Sequence, residues 1–155
     1  MSDIRLERDF SVSPARLYDV VTSGAEVLNW WLPEGFSMPD PMLDFTRKGP
    51  WQAKMISPEG KVFKVSGQVT KVEPQKMVGF TWGWHDDADQ RGAESHVTFS
   101  VEQTAKGAKL VIDHRALPDG EAAADHTTGW GKMYERIERH LSSDEQNTEA
   151  EVNYG

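Results

Sequence analysis

The sequence predicts an α+β domain in which a curved antiparallel sheet of six to seven strands wraps around one long C-terminal helix, with two short helices after the first strand. Two observations carry this expectation. Between Met42 and Arg115 the chain runs as consecutive segments of alternating apolar and polar residues, separated by turns short enough for hairpins. Only after Pro118 does a long apolar stripe of helical period appear, so strands and long helix are segregated rather than alternating.

The first strand is read over Asp3 to Val12, where Ile4, Leu6 and Phe10 recur at period two and Arg8 interrupts the inward row. Ser13-Pro14 is a helix start, an N-cap serine followed by proline at the first helical position, and Leu17, Val20 and Val21 follow at helical spacing up to Gly24. A second short helix is expected to carry Val27, Leu28, Trp30 and Trp31 and to stop at Pro33, with 34–41 as loop.

Six strands then follow at Met42 to Arg47, Trp51 to Ser57, Lys61 to Glu73, Lys76 to Trp84, Glu94 to Gln103 and Ala108 to Arg115. Lys48-Gly49-Pro50, Pro58-Glu59-Gly60, Pro74-Gln75 and Ala105-Lys106-Gly107 supply the turn chemistry between them. Val72 has the opposite parity to Phe63, Val65 and Val69, which predicts a bulge near Thr70. The long helix is expected over Gly120 to Leu141, its stripe of Trp130, Met133, Tyr134, Ile137 and Leu141 facing the sheet and Gly129 allowing close approach. Residues 1–141 thus form one domain, and the polar, acidic 142–155 are expected to be a disordered tail.

Composition narrows the function classes. The net charge of −8 argues against nucleic acid, whose phosphates call for a basic stripe. No segment approaches the roughly 20 apolar residues of a membrane span, and the N-terminus shows no signal-peptide core. The absence of cysteine removes thiol catalysis and thiolate metal sites and suits the cytoplasm, the expected location. The unusual component is aromatic, with six Trp and six Phe to be placed.

Several short words in the chain carry a resemblance. The Ser13-Pro14 helix start, Trp30-Trp31-Leu32-Pro33, Asp44 through Trp51, the Gly67 to Pro74 strand, Phe80-Thr81-Trp82, His114 near Leu117-Pro118, and Gly129-Trp130 occur in order. Over residues 3 to 141 the chain resembles the START-like helix-grip superfamily, in the branch named after the activator of the heat-shock protein 90 ATPase. It departs at Gly49-Pro50, where that family commonly has two glycines and where proline removes an amide donor. The resemblance implies the fold and places the chain beside many stand-alone bacterial proteins. It implies a chaperone-assisting role only distantly, since the named eukaryotic members carry a further N-terminal domain for which 155 residues leave no room.

The expected site is an apolar cavity between sheet and helix. Its lining is read as Trp30, Trp31, Phe45 and Trp51, then Phe63, Phe80, Trp82, Trp84 and Phe99 from the strands. Ile112 and His114 join from the last strand, and Trp130, Met133 and Tyr134 from the helix. His114 is read as a satisfied structural histidine, with a general base as its rival role. Asp44 and Arg8 are a candidate ion pair or cavity mouth, His85 to Asp89 a solvated hairpin tip, and His126 and His140 solvent-facing or N-terminal helix residues too far apart to share a metal. No metal, cofactor or catalytic residue is assigned. The expected function is binding of a small apolar or aromatic ligand. Its rivals are a polyketide-cyclase-like or hydrolytic enzyme using His114, Tyr134 or Arg115, and a chaperone-associated module. A homodimer is compatible with the sequence.

Overall fold

A computed structural model describes residues 2–39 and 41–154, with side chains through Ser143. Its elements are β1 (Ser2–Phe10), α1 (Pro14–Thr22), α2 (Gly24–Val27), β2 (Gly49–Ile56), β3 (Val62–Glu73), β4 (Met77–Trp84), β5 (Ser95–Thr104), β6 (Gly107–Leu117) and α3 (Gly120–Tyr154). The strands form one antiparallel sheet in the order β1-β6-β5-β4-β3-β2, a five-strand meander closed at its far edge by the first strand. Of the expected tail, 142–155, residues 144–155 lie outside the described side chains.

Local chemistry explains the boundaries. Ser13 caps α1, its Oγ accepting from the Arg16 N–H at 3.1 Å with Pro14 in the first turn. The β3–β4 register shifts between Val69 and Lys71, at the bulge the parity change foretells. Gly60, at φ +86° in the β2–β3 turn, holds a conformation that side chains disfavour. Arg8 points to the helix side of β1 and lays its guanidinium 5.9 Å from the Phe10 ring, so the interruption of the inward row is covered by a cation on an aromatic face.

Three expectations need correction. Met42 to Arg47 is not a strand; its backbone pairs with the sheet, among the described residues, through the bridge of Met42 with Gln52, and it leaves the β2 edge so that Phe45 can turn inward. The second helix is only Gly24–Val27, after which hydrogen bonds of Asn29 to Glu26 and Trp30 to Val27 tighten the chain into turns that aim both tryptophans at the core. Arg8 and Asp44 do not pair, because Asp44 accepts from Thr46 and lies 3.7 Å from Arg47.

The core lies between the concave face of the sheet and α3, which buries Trp130, Tyr134, Ile137 and Leu141. That helix is fastened to the segment after α2. The Arg136 Nε donates to the Trp30 carbonyl at 2.8 Å and its Nη2 to the Trp31 carbonyl at 3.3 Å, satisfying groups that α2 is too short to satisfy itself. His140, expected to face solvent, bonds Glu26 at 2.8 Å, and Arg16 bonds the same carboxylate at 3.1 Å. Burial pushes the Glu26 carboxyl upward, but the hydrogen bonds from His140 and Arg16 outweigh it and hold the group below its usual range.

One close approach depends on glycine. The Trp51 indole reaches across β3 to donate to the Thr81 carbonyl at 3.0 Å, while Gln68 N–H turns to the Thr81 hydroxyl. A Cβ on Gly67 would stand 1.9 Å from that carbonyl oxygen and 2.7 Å from the indole nitrogen.

Candidate functional site

The centre of the grip is filled by its own rings. Phe45 and Phe80 stack at 4.4 Å and 11°, Phe99 meets Phe80 edge-on at 5.1 Å, and Trp51 meets Phe45 edge-on at 5.6 Å. Trp30 closes the group from the turn after α2, donating its indole N–H to the Val20 carbonyl of α1 at 2.7 Å. Five of the residues expected around a cavity, Trp30, Phe45, Trp51, Phe80 and Phe99, are therefore packed against one another. Ile112 is buried with them.

The space lies beside these rings, as a cleft of about 480 Å³ between the first half of α3 and the ends of β2, β3 and β4. Trp82 and Trp84 of β4 form one wall, Met55 and Phe63 the next, and Trp31, Pro33 and Phe36 the end. The α3 side presents His126, Gly129, Trp130 and Met133, with Ala122, Asp125, Lys132 and Arg136 completing it. Of the expected lining, Trp31, Phe63, Trp82, Trp84, Trp130 and Met133 come together here. The sequence reading missed Pro33, read only as a helix stop, and Phe36, in a stretch read as loop, although the Phe36 ring lies 6.1 Å from Phe63. It also took Gly129 for a close-packing residue. A Cβ at Gly129 would meet nothing within 4 Å, so the helix surface there is open space.

His114 is wholly buried and lies outside the cleft lining. Trp130 Nε1, which can only donate, gives its proton to His114 Nδ1 at 3.1 Å. The neutral ring must then carry its own proton on Nε2, where it faces Ser95 Oγ at 2.7 Å. Burial pulls its pKa down to about 3, helped by the nearby His126 and His96. Both nitrogens are engaged and the ring stays neutral. Tyr134 is likewise engaged, its hydroxyl lying 2.7 Å from the Leu6 carbonyl and 2.8 Å from that of Leu110, and burial pushes its pKa up. Arg115 is exposed.

His126, read as a solvent-facing or N-terminal helix residue, stands near the start of α3 and is half-buried. Its ring lies 4.6 Å from that of His114, Nδ1 donates to the Ala122 carbonyl at 2.9 Å, and Nε2 accepts from the indole N–H of the 38% exposed Trp84 at 3.1 Å. Burial depresses its pKa as well. Four of the six indole N–H groups thus have acceptors; those of Trp31 and Trp82, buried on the cleft walls with rings 5.8 Å apart, have none among the described residues.

The hairpin tip from His85 to Asp89 is knitted rather than loose. Ser66 Oγ lies 2.7 Å from His85 Nε2, and Asp89 lies 2.9 Å from His85 Nδ1 and 3.1 Å from Lys64. This Ser-His-Asp series is on the outer side of the sheet, and Ser66 does not line the neighbouring depression formed by Lys54, Lys61, Lys64 and the Asp residues.

A six-stranded sheet gripping a C-terminal helix, with an aromatic cleft beside the grip, defines a START-like helix-grip protein. Residues 11–142 match the family described as activator of Hsp90 ATPase homolog 1-like protein, and the chain belongs to that family. The AHSA1 protein of Silicibacter pomeroyi is 50% identical, with 92% of this chain and 99% of that chain covered at a TM-score of 0.88. A Chromobacterium violaceum protein at 20% identity shares the fold at a TM-score of 0.77, over 90% of this chain and 96% of that one. A Rhodobacter sphaeroides protein at 20% identity shares it at 0.78, over 92% and 93%. No curated protein matches the chain. Among the described residues no helix is long and apolar enough to cross a membrane.

Proposed function

We propose that the protein is a cytoplasmic binding protein, a carrier or sensor, for a small apolar or aromatic molecule held in the cleft between α3 and β4. The carrying observation is the cleft itself: about 480 Å³, within the range of small-molecule sites, walled by Trp31, Trp82, Trp84 and Trp130. The unpartnered indole donors of Trp31 and Trp82 support the reading. A buried donor without an acceptor costs on the order of 1–3 kcal/mol, which a ligand oxygen reaching it would offset.

An enzymatic use of the same space gains no support from His114, Tyr134 or His126, whose polar atoms are committed to protein partners. A chaperone-associated role is the second reading, favoured by the family match, and direct titration against the bacterial chaperone would test it.

A screen of apolar and aromatic compounds by thermal shift and tryptophan quenching tests the proposal. A ligand specific for the folded state at 100 times its Kd adds about 2.7 kcal/mol. Saturable quenching is expected, and Trp84→Ala, at a part-exposed site, should weaken it without unfolding the domain. Amide shifts mapping away from residues 122–136 would overturn the proposal. A concentration-dependent dimer dissociated by Trp84→Asp would assign the cleft to a second copy of the chain instead.

A further inference from the structure

We infer that the ligand class is an amphipathic carboxylic acid, its apolar body lying over Gly129 among the indoles and its carboxylate meeting Lys132 and Arg136. The inference rests on the cleft being a ligand site and adds the chemistry of the ligand.

Charge placement on α3 is the first observation. Gly129, Lys132, Met133 and Arg136 recur at i, i+3, i+4 and i+7, so they share one helix face, and that face lines the cleft. Among the described residues neither Lys132 nor Arg136 has a carboxylate within ion-pair distance, whereas Arg5, Arg47, Lys64, Arg91 and Lys109 each have one. Arg136 is half-buried and spends its Nε and Nη2 on the Trp30 and Trp31 carbonyls, which fixes the guanidinium in place; its helix neighbour Glu135 attracts the charge without forming an ion pair, and Arg139 repels it. The one acidic residue of the lining, Asp125, stands seven residues before Lys132, roughly 10 Å away along the helix axis. The cleft is therefore apolar along its length and cationic at one end.

Gly129 is the second observation, independent of charge. Glycine inside a helix is less favourable than alanine, and packing gives no reason for it here, since a Cβ would touch nothing within 4 Å. Gly131 is as open but lies outside the lining, so it is the place of Gly129 on the cleft wall that offers the vacant volume above it to a ligand ring or chain. The separation from Gly129 to Arg136 along the helix, on the order of 10 Å, suits a molecule with a bicyclic or short-chain body and one terminal carboxylate.

The test is isothermal titration of the full chain at pH 7 and low salt with 2-naphthylacetate and its neutral isostere 2-naphthylacetamide. The acid should bind at least tenfold more tightly than the amide. Lys132→Met, at an exposed position, should lower the acid's affinity far more than the amide's and so close the gap between them, and Gly129→Leu should weaken both while Gly131→Leu, outside the lining, weakens neither. Equal binding of acid and amide, or an acid preference indifferent to Lys132→Met, would overturn the assignment of an acid and leave the cleft as a site for neutral ligands. Binding of neither probe would remove the cleft as a ligand site altogether.

Discussion

The Trp130 indole N–H donates to His114 Nδ1 at 3.1 Å, and this bond joins the gripped helix to the last strand of the sheet. It also fixes the tautomer of a ring that has no access to solvent.

Acid should therefore destabilise the fold early. The His114 pKa is lowered in the folded state to about 3, from 6.5, so its contribution is fully present above pH 6.5 and is lost as pH falls toward 3. Between pH 7 and 5 the loss should be on the order of 2 kcal/mol, with His126 adding in the same direction. Carboxylates held low, such as Glu26, contribute to acid loss only below about pH 5. Urea denaturation at pH 7, 6 and 5 measures the slope, which His114→Gln should flatten. An NMR titration placing the His114 midpoint near 6.5 would contradict the argument.

Trp130→Ala should cost on the order of 3–5 kcal/mol, the range for truncating a buried large aromatic, because it also strands the His114 acceptor. Glu138→Ala should change stability by less than about 0.5 kcal/mol. Equal effects in chemical denaturation would show that α3 presents a different face to the sheet.

Gly129→Ala and Gly131→Ala should each raise stability, by up to about 1 kcal/mol, since each removes a helix-interior glycine and neither new Cβ meets an atom within 4 Å. Thermal melts of the two variants decide this. A lowered melting temperature in either would mean that the helix surface there is occupied.

Ending the chain at Ser143 should leave the melting temperature within a degree or two. The sequence beyond it is acidic and poor in large apolar groups, a composition expected to add little to the stability of the domain. A clearly lower melting temperature would move the domain boundary past residue 143.

What was legible in the sequence divides along physical lines. Period-two rows and turn residues are local signals, and they located β3 to β6, the Thr70 bulge and the capped start of α1. Met42 to Arg47 alternates like a strand, but its neighbour along β2 forms only one bridge, and pairing is a tertiary fact. The aromatic residues were identifiable as inward-facing. Which of them pack and which border space was not, because Phe45 stands on no strand and meets Phe80 only once its segment has left the β2 edge and bonded back to Thr22. The partner of His126 was hidden for a like reason: its position near the start of α3 was legible, but not that Trp84 would reach across to it.

The crowding at Gly67 sets a rule for divergence within the family. A side chain there would collide with the main-chain oxygen of Thr81, so replacing Trp51 cannot relieve it and no partner substitution on the facing strands can compensate. As related chains drift apart, the ring crossing β3 can be exchanged for another, while position 67 stays glycine unless the β3–β4 pairing is rebuilt. A relative carrying any other residue there should have lost the turned-out Thr81 carbonyl, and with it the hydrogen bond that positions the ring.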